Sequence, residues 1–119
     1  MRDKPVPNLL QKIKDFRDER DWRQFHDPKN LAEAISIESS ELLELFLWKD
    51  KIQITEELKK KSFKKEVADE LADIFSFLLL MSDEVGVDLE KALSEKLEQN
   101  KKKYPVEKSK GKSTKYTKL

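Results

Sequence analysis

Cysteine is missing from this 119-residue chain, which excludes a disulfide framework, a thiolate nucleophile and a cysteine-type zinc site. Glycine is scarce, with two residues, and three of the four prolines lie near the ends. β-Branched alternation is almost absent, so the composition is that of an all-α protein. No apolar run approaches the roughly 20 residues needed to span a bilayer, and Met1-Arg2-Asp3-Lys4-Pro5 contains no apolar signal core. The expectation is a soluble, cytoplasmic chain with no membrane partner. An excess of one charge is also lacking: 25 Lys and Arg face 24 Asp and Glu, so bulk electrostatics does not call for nucleic acid.

Charge itself is abundant. Charged residues make up 41% against 37% hydrophobic, so one modest domain of this length would have a thin core if it stood alone. We expect a single domain over residues 1–119, with a helical core at about 8–104 and a basic tail at about 105–119.

Punctuation along the chain outlines the helices. Asn8 is a candidate N-cap for a first helix carrying Leu9, Leu10, Ile13 and Phe16 and fading near Arg20 or Asp21. Residues 22–28 have no period and end in Asp27-Pro28, a favourable cap followed by proline at the first helical position. A second helix is expected from there to Trp48. The charged connector 52–61 admits a short helical turn beginning at Thr55. A third helix ends at Gly86, a residue suited to the left-handed position past a helix end. Asp88 caps a fourth helix, which Pro105 stops. The lysine-rich remainder has no apolar period, and its order is expected to come from lying on a neighbour.

Two helices carry acids where leucines should pack. At about 100° per residue, Leu31, Ile35, Leu42 and Leu45 form a stripe that contains Glu38, with Glu41 at its edge. On the third helix Phe63, Val67, Ile74, Phe77 and Met81 form an arc with Glu70 near its middle and Glu66 and Asp73 on its flank. Burying an unpaired carboxylate costs several kcal/mol, so such acids must be protonated, matched by cations or bound to metal. A purely structural ion-pair network with Lys96 and Lys103 is the simpler alternative, but the inward acids outnumber those cations. All-oxygen donors without cysteine or a nearby histidine favour Mg²⁺ or Mn²⁺ over zinc or copper. A di-iron bundle would call for Glu-x-x-His pairs, which are absent here. The fourth helix adds Lys96, Asn100 and Lys103 to its apolar face, with Tyr104 beside them. Leu43, Leu47, Leu71, Phe75, Leu78 and Leu79 lie away from the acid-bearing stripes, and a second subunit is expected to cover them.

Glu38-x-x-Glu41 paired with Glu70-x-x-Asp73 resembles the MazG-like, all-α nucleoside triphosphate pyrophosphohydrolases. The strings RDWRQFHDPKNLA, ESSELLELFLWK, DELADIF and NKKKYPV look most like the dCTP pyrophosphatase branch, and the similarity runs from Leu9 to the terminal KYTKL. The resemblance implies a four-helix-type bundle assembled as a homo-oligomer, a tetramer in this branch or else a dimer. It implies Mg²⁺-dependent conversion of a (deoxy)nucleoside triphosphate, dCTP or a modified dCTP, to monophosphate and pyrophosphate. Glu38, Glu41, Glu70 and Asp73 match the metal ligands, with Glu38 or Glu41 the candidate for activating water. Trp22, Arg23, Gln24, Phe25, His26 and Trp48 match the segment and tryptophan around the nucleoside, and Lys96, Asn100 and Tyr104 match phosphate positions, with Lys103 able to neutralise pyrophosphate. Phe77 stands where relatives carry tyrosine, and Ile13 where a relative carries histidine, which leaves base and sugar preference open. The rival readings are a pyrophosphohydrolase for dUTP, a damaged nucleotide or phosphoribosyl-ATP, and a non-catalytic helical interaction module.

Overall fold

Trp22 is held by the end of the first helix. α1 spans Pro5–Glu19, and Asp21 beyond it takes the left-handed conformation at φ 54°. The N–H of Trp22 then reaches the Arg17 carbonyl at 3.1 Å and that of Asp21 the Asp18 carbonyl at 3.1 Å. This is a Schellman closure, with the usual apolar contact supplied by the Phe16 and Trp22 rings, edge to face at 5.6 Å. The computed structural model describes residues 5–119, with side chains from Asn8 onward. α1 is already under way at Asn8, so that residue is not its cap. Prolines at positions 5 and 7 fit the first turn, whose N–H groups have no partner in the helix.

After a 3₁₀ turn at Arg23–Phe25, Asp27 caps α2, Pro28–Glu44, by accepting the Asn30 N–H at 2.7 Å. The Asn30 amide donates back to the Phe25 carbonyl at 3.0 Å, tying the aromatic loop to this helix start. The helix stops four residues before the expected Trp48. Leu45, Phe46 and Leu47 bond three residues back rather than four, tightening the chain, and Trp48 turns left-handed at φ 65°. Asp50 then caps α3, Lys51–Glu57, through a reciprocal box with Gln53, both bonds at 2.8 Å. This helix begins well before the expected Thr55.

α4 runs over Lys61–Val85 and ends at Gly86, φ 71°, as its sequence predicts. It packs mainly on α2 and also on α1. Leu31, Phe63, Leu79 and Leu80 form the buried core, with the Phe46 ring edge-on to Phe63 at 5.8 Å. Leu79 therefore belongs to the core rather than to the outward set, because a helix with two partners buries a wider arc than one stripe. Leu43, Leu47, Leu71, Phe75 and Leu78 remain exposed.

Chain contacts define a second compact unit, Val87–Leu119. Asp88 caps its long helix α5, Leu89–Lys103, by accepting the Lys91 N–H at 3.1 Å. The tail has structure of its own: α6, Val106–Ser109, and a 3₁₀ turn, Tyr116–Lys118, whose Tyr116 ring meets Tyr104 at 5.9 Å and the Lys103 ammonium at 4.8 Å. The basic tail is thus ordered by the end of α5. Among the described residues there is no strand, and no helix is long and apolar enough to cross a membrane.

Candidate active site

The pairing of α2 with α4 brings the acids together. Carboxylate oxygens of Glu38, Glu41 and Glu70 lie within 4.8 Å of one another. Glu41 is exposed, whereas Glu38 and Glu70 are half-buried, and one oxygen of each, Oε2, is buried without a hydrogen-bond partner. Ser39 and Ser40 do not serve the cluster, since their hydroxyls donate to the Ile35 and Ser36 carbonyls of their own helix at 2.8 and 3.0 Å. Two orphaned acid oxygens beside a third carboxylate form an all-oxygen donor set, which suits a hard divalent cation.

Proton affinity reflects the crowding. Loss of hydration, then hydrogen bonds with Glu41 and Glu70 and the charges of Glu41 and Asp73, raise Glu38 to about 7. Glu70 is also raised, first by burial and then by the charges of Glu41 and Asp73, while its hydrogen bond with Glu38 acts the other way.

Glu38 also lines a cavity of about 220 Å³. Phe16, Trp22 and Phe77 supply its aromatic wall, Ile13 and Leu80 its aliphatic wall, and Arg17, His26, Asp73 and Ser76 its polar groups. The His26 ring stands edge-on to Phe77 at 6.3 Å, and its Nδ1 is buried without a partner. Burial first, and then the Arg17 charge, lower its affinity for a proton despite Glu84, so the imidazole is neutral at physiological pH.

Of the residues singled out in the sequence, Trp22, His26, Phe77, Glu38 and Asp73 share this cavity, and Glu41 and Glu70 join through the acid cluster. Asp73 stands in the cavity wall, outside the group of three. Arg23, Gln24 and Phe25 do not line the cavity; the Gln24 amide instead donates to the Asp21 carbonyl at 3.0 Å and carboxylate at 3.1 Å. Trp48 is 90% exposed and also stands outside it. Lys96, Asn100, Lys103 and Tyr104 belong to the second unit. The sequence reading missed Arg17, Phe16 and Ser76. Arg17 carried a usable signal, because it follows Ile13 by four residues and so places a charge on the apolar face of α1.

An all-helical chain in which one member of an acidic group of three also lines an aromatic cavity defines the class: a helical protein whose carboxylates could hold a cation. The profile of the MazG-like family matches residues 34–119, and the chain belongs to that family. It is 37% identical over 105 residues to dCTP pyrophosphatase 1 of Rattus norvegicus and 35% identical to that of Homo sapiens, over 88% of this chain and 62% of each relative. The chain thus spans about three-fifths of the length of these curated relatives. It also resembles the crystal structure of a pyrophosphatase from Archaeoglobus fulgidus, with a TM-score of 0.81 and 39% identity, covering 88% of this chain and 96% of that one.

Proposed function

We propose that the chain is a nucleoside triphosphate pyrophosphohydrolase, acting on dCTP or a modified dCTP and releasing the monophosphate and pyrophosphate. The observation that carries this reading is the convergence of Glu38, Glu41 and Glu70 beside an aromatic cavity large enough for a base. Kinship with dCTP pyrophosphatase 1 supports the choice of nucleotide.

In this reading Glu38, Glu41 and Glu70 would hold Mg²⁺, or Mn²⁺ in its place, with Asp73 as the fourth candidate ligand. The cation would supply charge stabilisation to the triphosphate oxygens and acidify water. Trp22, His26 and Phe77 receive the nucleoside, and their apolar surroundings exclude bulk water from that end. Water attacks the α-phosphorus as the bond to the β-bridging oxygen breaks, and pyrophosphate leaves. The proton from the attacking water would pass to a carboxylate of the cluster, with Glu38 or Glu41 the candidate. Lys96, Asn100, Lys103 and Tyr104 are assigned to the phosphates, with Arg23, Gln24, Phe25 and Trp48 as outer contacts to the nucleoside. The exposed leucines on and just beyond α2 and on α4 support a homo-oligomer, a tetramer or dimer; the cytoplasm is the compartment assigned to it.

The test is a hydrolysis panel over canonical and modified triphosphates with Mg²⁺, resolving every product, with Glu38→Gln in parallel. Monophosphate plus pyrophosphate, greatest for a cytosine deoxynucleotide and reduced at least about a hundredfold in the variant, is expected. Release of orthophosphate, or full activity in the variant, contradicts the assignment.

A further inference from the structure

Arg17 is an anomaly that the acid cluster does not explain. Its side chain is 2% exposed, it lines the aromatic cavity, and its Nη2 is buried with no partner in the protein. The ion pair it makes uses Nε, to Asp18 Oδ1 at 2.8 Å, and not Nη2, although Glu38 and Asp73 share its cavity. Asp18 already balances the charge of the guanidinium, so what remains unmet is hydrogen bonding. A buried donor left in that state is unfavourable, and a neutral acceptor would satisfy it without adding a further negative charge to a cavity that already holds Glu38 and Asp73. A ring carbonyl of a nucleobase is such an acceptor, and the surrounding Phe16, Trp22 and Phe77 provide flat apolar surface for the ring that bears it.

Building on the nucleotide-hydrolase reading above, we propose that Arg17 is a specificity-determining residue whose Nη2 donates to the C2 carbonyl of a cytosine bound in this cavity. His26, with its unpartnered Nδ1 on the same cavity, faces the same ligand. The carbonyl end of Arg17 also holds the Trp22 N–H, so donor and ring are set by one helix terminus.

The experiment compares dCTP with its 2-thio analogue, in which the C2 oxygen becomes a weakly accepting sulfur, in wild type and Arg17→Met. Wild type is expected to lose about tenfold in kcat/KM on the sulfur substitution. Arg17→Met should lose about as much on dCTP yet treat the two substrates alike. Equal losses on both substrates in the variant, with discrimination retained, overturn the proposal and leave Arg17 a structural or phosphate-facing residue. Calorimetric binding of dCMP and 2-thio-dCMP to wild type reads the same contact without turnover or a variant. Discrimination there supports the contact even if no triphosphate is hydrolysed, which would count only against the parent reading. Equal affinity overturns the contact even if hydrolysis is brisk.

Discussion

The backbone carbonyl of Arg17 accepts the N–H of Trp22 at 3.1 Å, so a buried cation and a cavity aromatic are fixed by the same helix end. The closure depends on Asp21 holding φ 54°. A β-branched residue there would oppose the left-handed conformation, whereas glycine adopts it freely. Asp21→Val should lower the melting temperature by about 5 °C, while Asp21→Gly leaves it unchanged or slightly higher. Thermal denaturation followed by circular dichroism checks the pair; equal loss in both would mean that the Asp21 side chain, rather than its backbone, holds the turn.

Glu38 gives the metal-free chain an inverted pH response. Its folded-state value of about 7 lies above the ordinary 4.5, so between these limits the folded chain binds more protons than the unfolded one. Stability without metal therefore falls as pH rises from about 4.5 to about 7, opposite to the behaviour of a salt-bridged carboxylate. In EDTA the melting temperature should drop by about 5 °C between pH 5 and 8, and Glu38→Gln should flatten that slope. A melting temperature that climbs over this range would contradict the crowding of the three carboxylates.

The short helix α3 rests on its cap. Asp50 and Gln53 exchange two hydrogen bonds at 2.8 Å, and Asp50→Ala removes one of them outright. The expected cost is about 1 kcal/mol, measurable by urea denaturation. Thr55→Ala, at the position where the sequence suggested the helix start, should cost markedly less.

Leu43 on α2 is 68% exposed and Leu47 just beyond it 52%, exposures that favour burial against another copy of the chain. Analytical ultracentrifugation should find an oligomer at micromolar concentration, and Leu43→Glu should shift it toward smaller species with the helical content unchanged. A wild-type chain that sediments as a monomer would remove the need for a covering subunit.

The convergence of Glu38, Glu41 and Glu70 was legible because acids break a pattern: a carboxylate inside an apolar stripe stands out whatever the fold. Asp27-Pro28, Gly86 and Asp88 were legible for the same local reason, each supplying the chemistry that a helix end requires. The end of α2 was not, since Leu45 and Phe46 continue the apolar pattern while the backbone tightens to three-residue bonds. Leu79 was misplaced because a stripe drawn for one partner does not show that α4 has two. The tail resisted for another reason, as Tyr116 finds its place on Tyr104 and Lys103 rather than through any period of its own. Arg17 broke the pattern on α1 as plainly as the acids broke theirs, but one charge without a sequence partner gives no spacing to read.

In the proposed reaction a carboxylate-bound cation and the cavity beside it would direct water to the α-phosphorus. Hydrolysis of dCTP with Mg²⁺ in ¹⁸O-labelled water, followed by mass spectrometry of both products, tests it most directly. Label in the monophosphate, with unlabelled pyrophosphate, is the predicted result. Label in the pyrophosphate would place attack at the β-phosphorus and contradict the account.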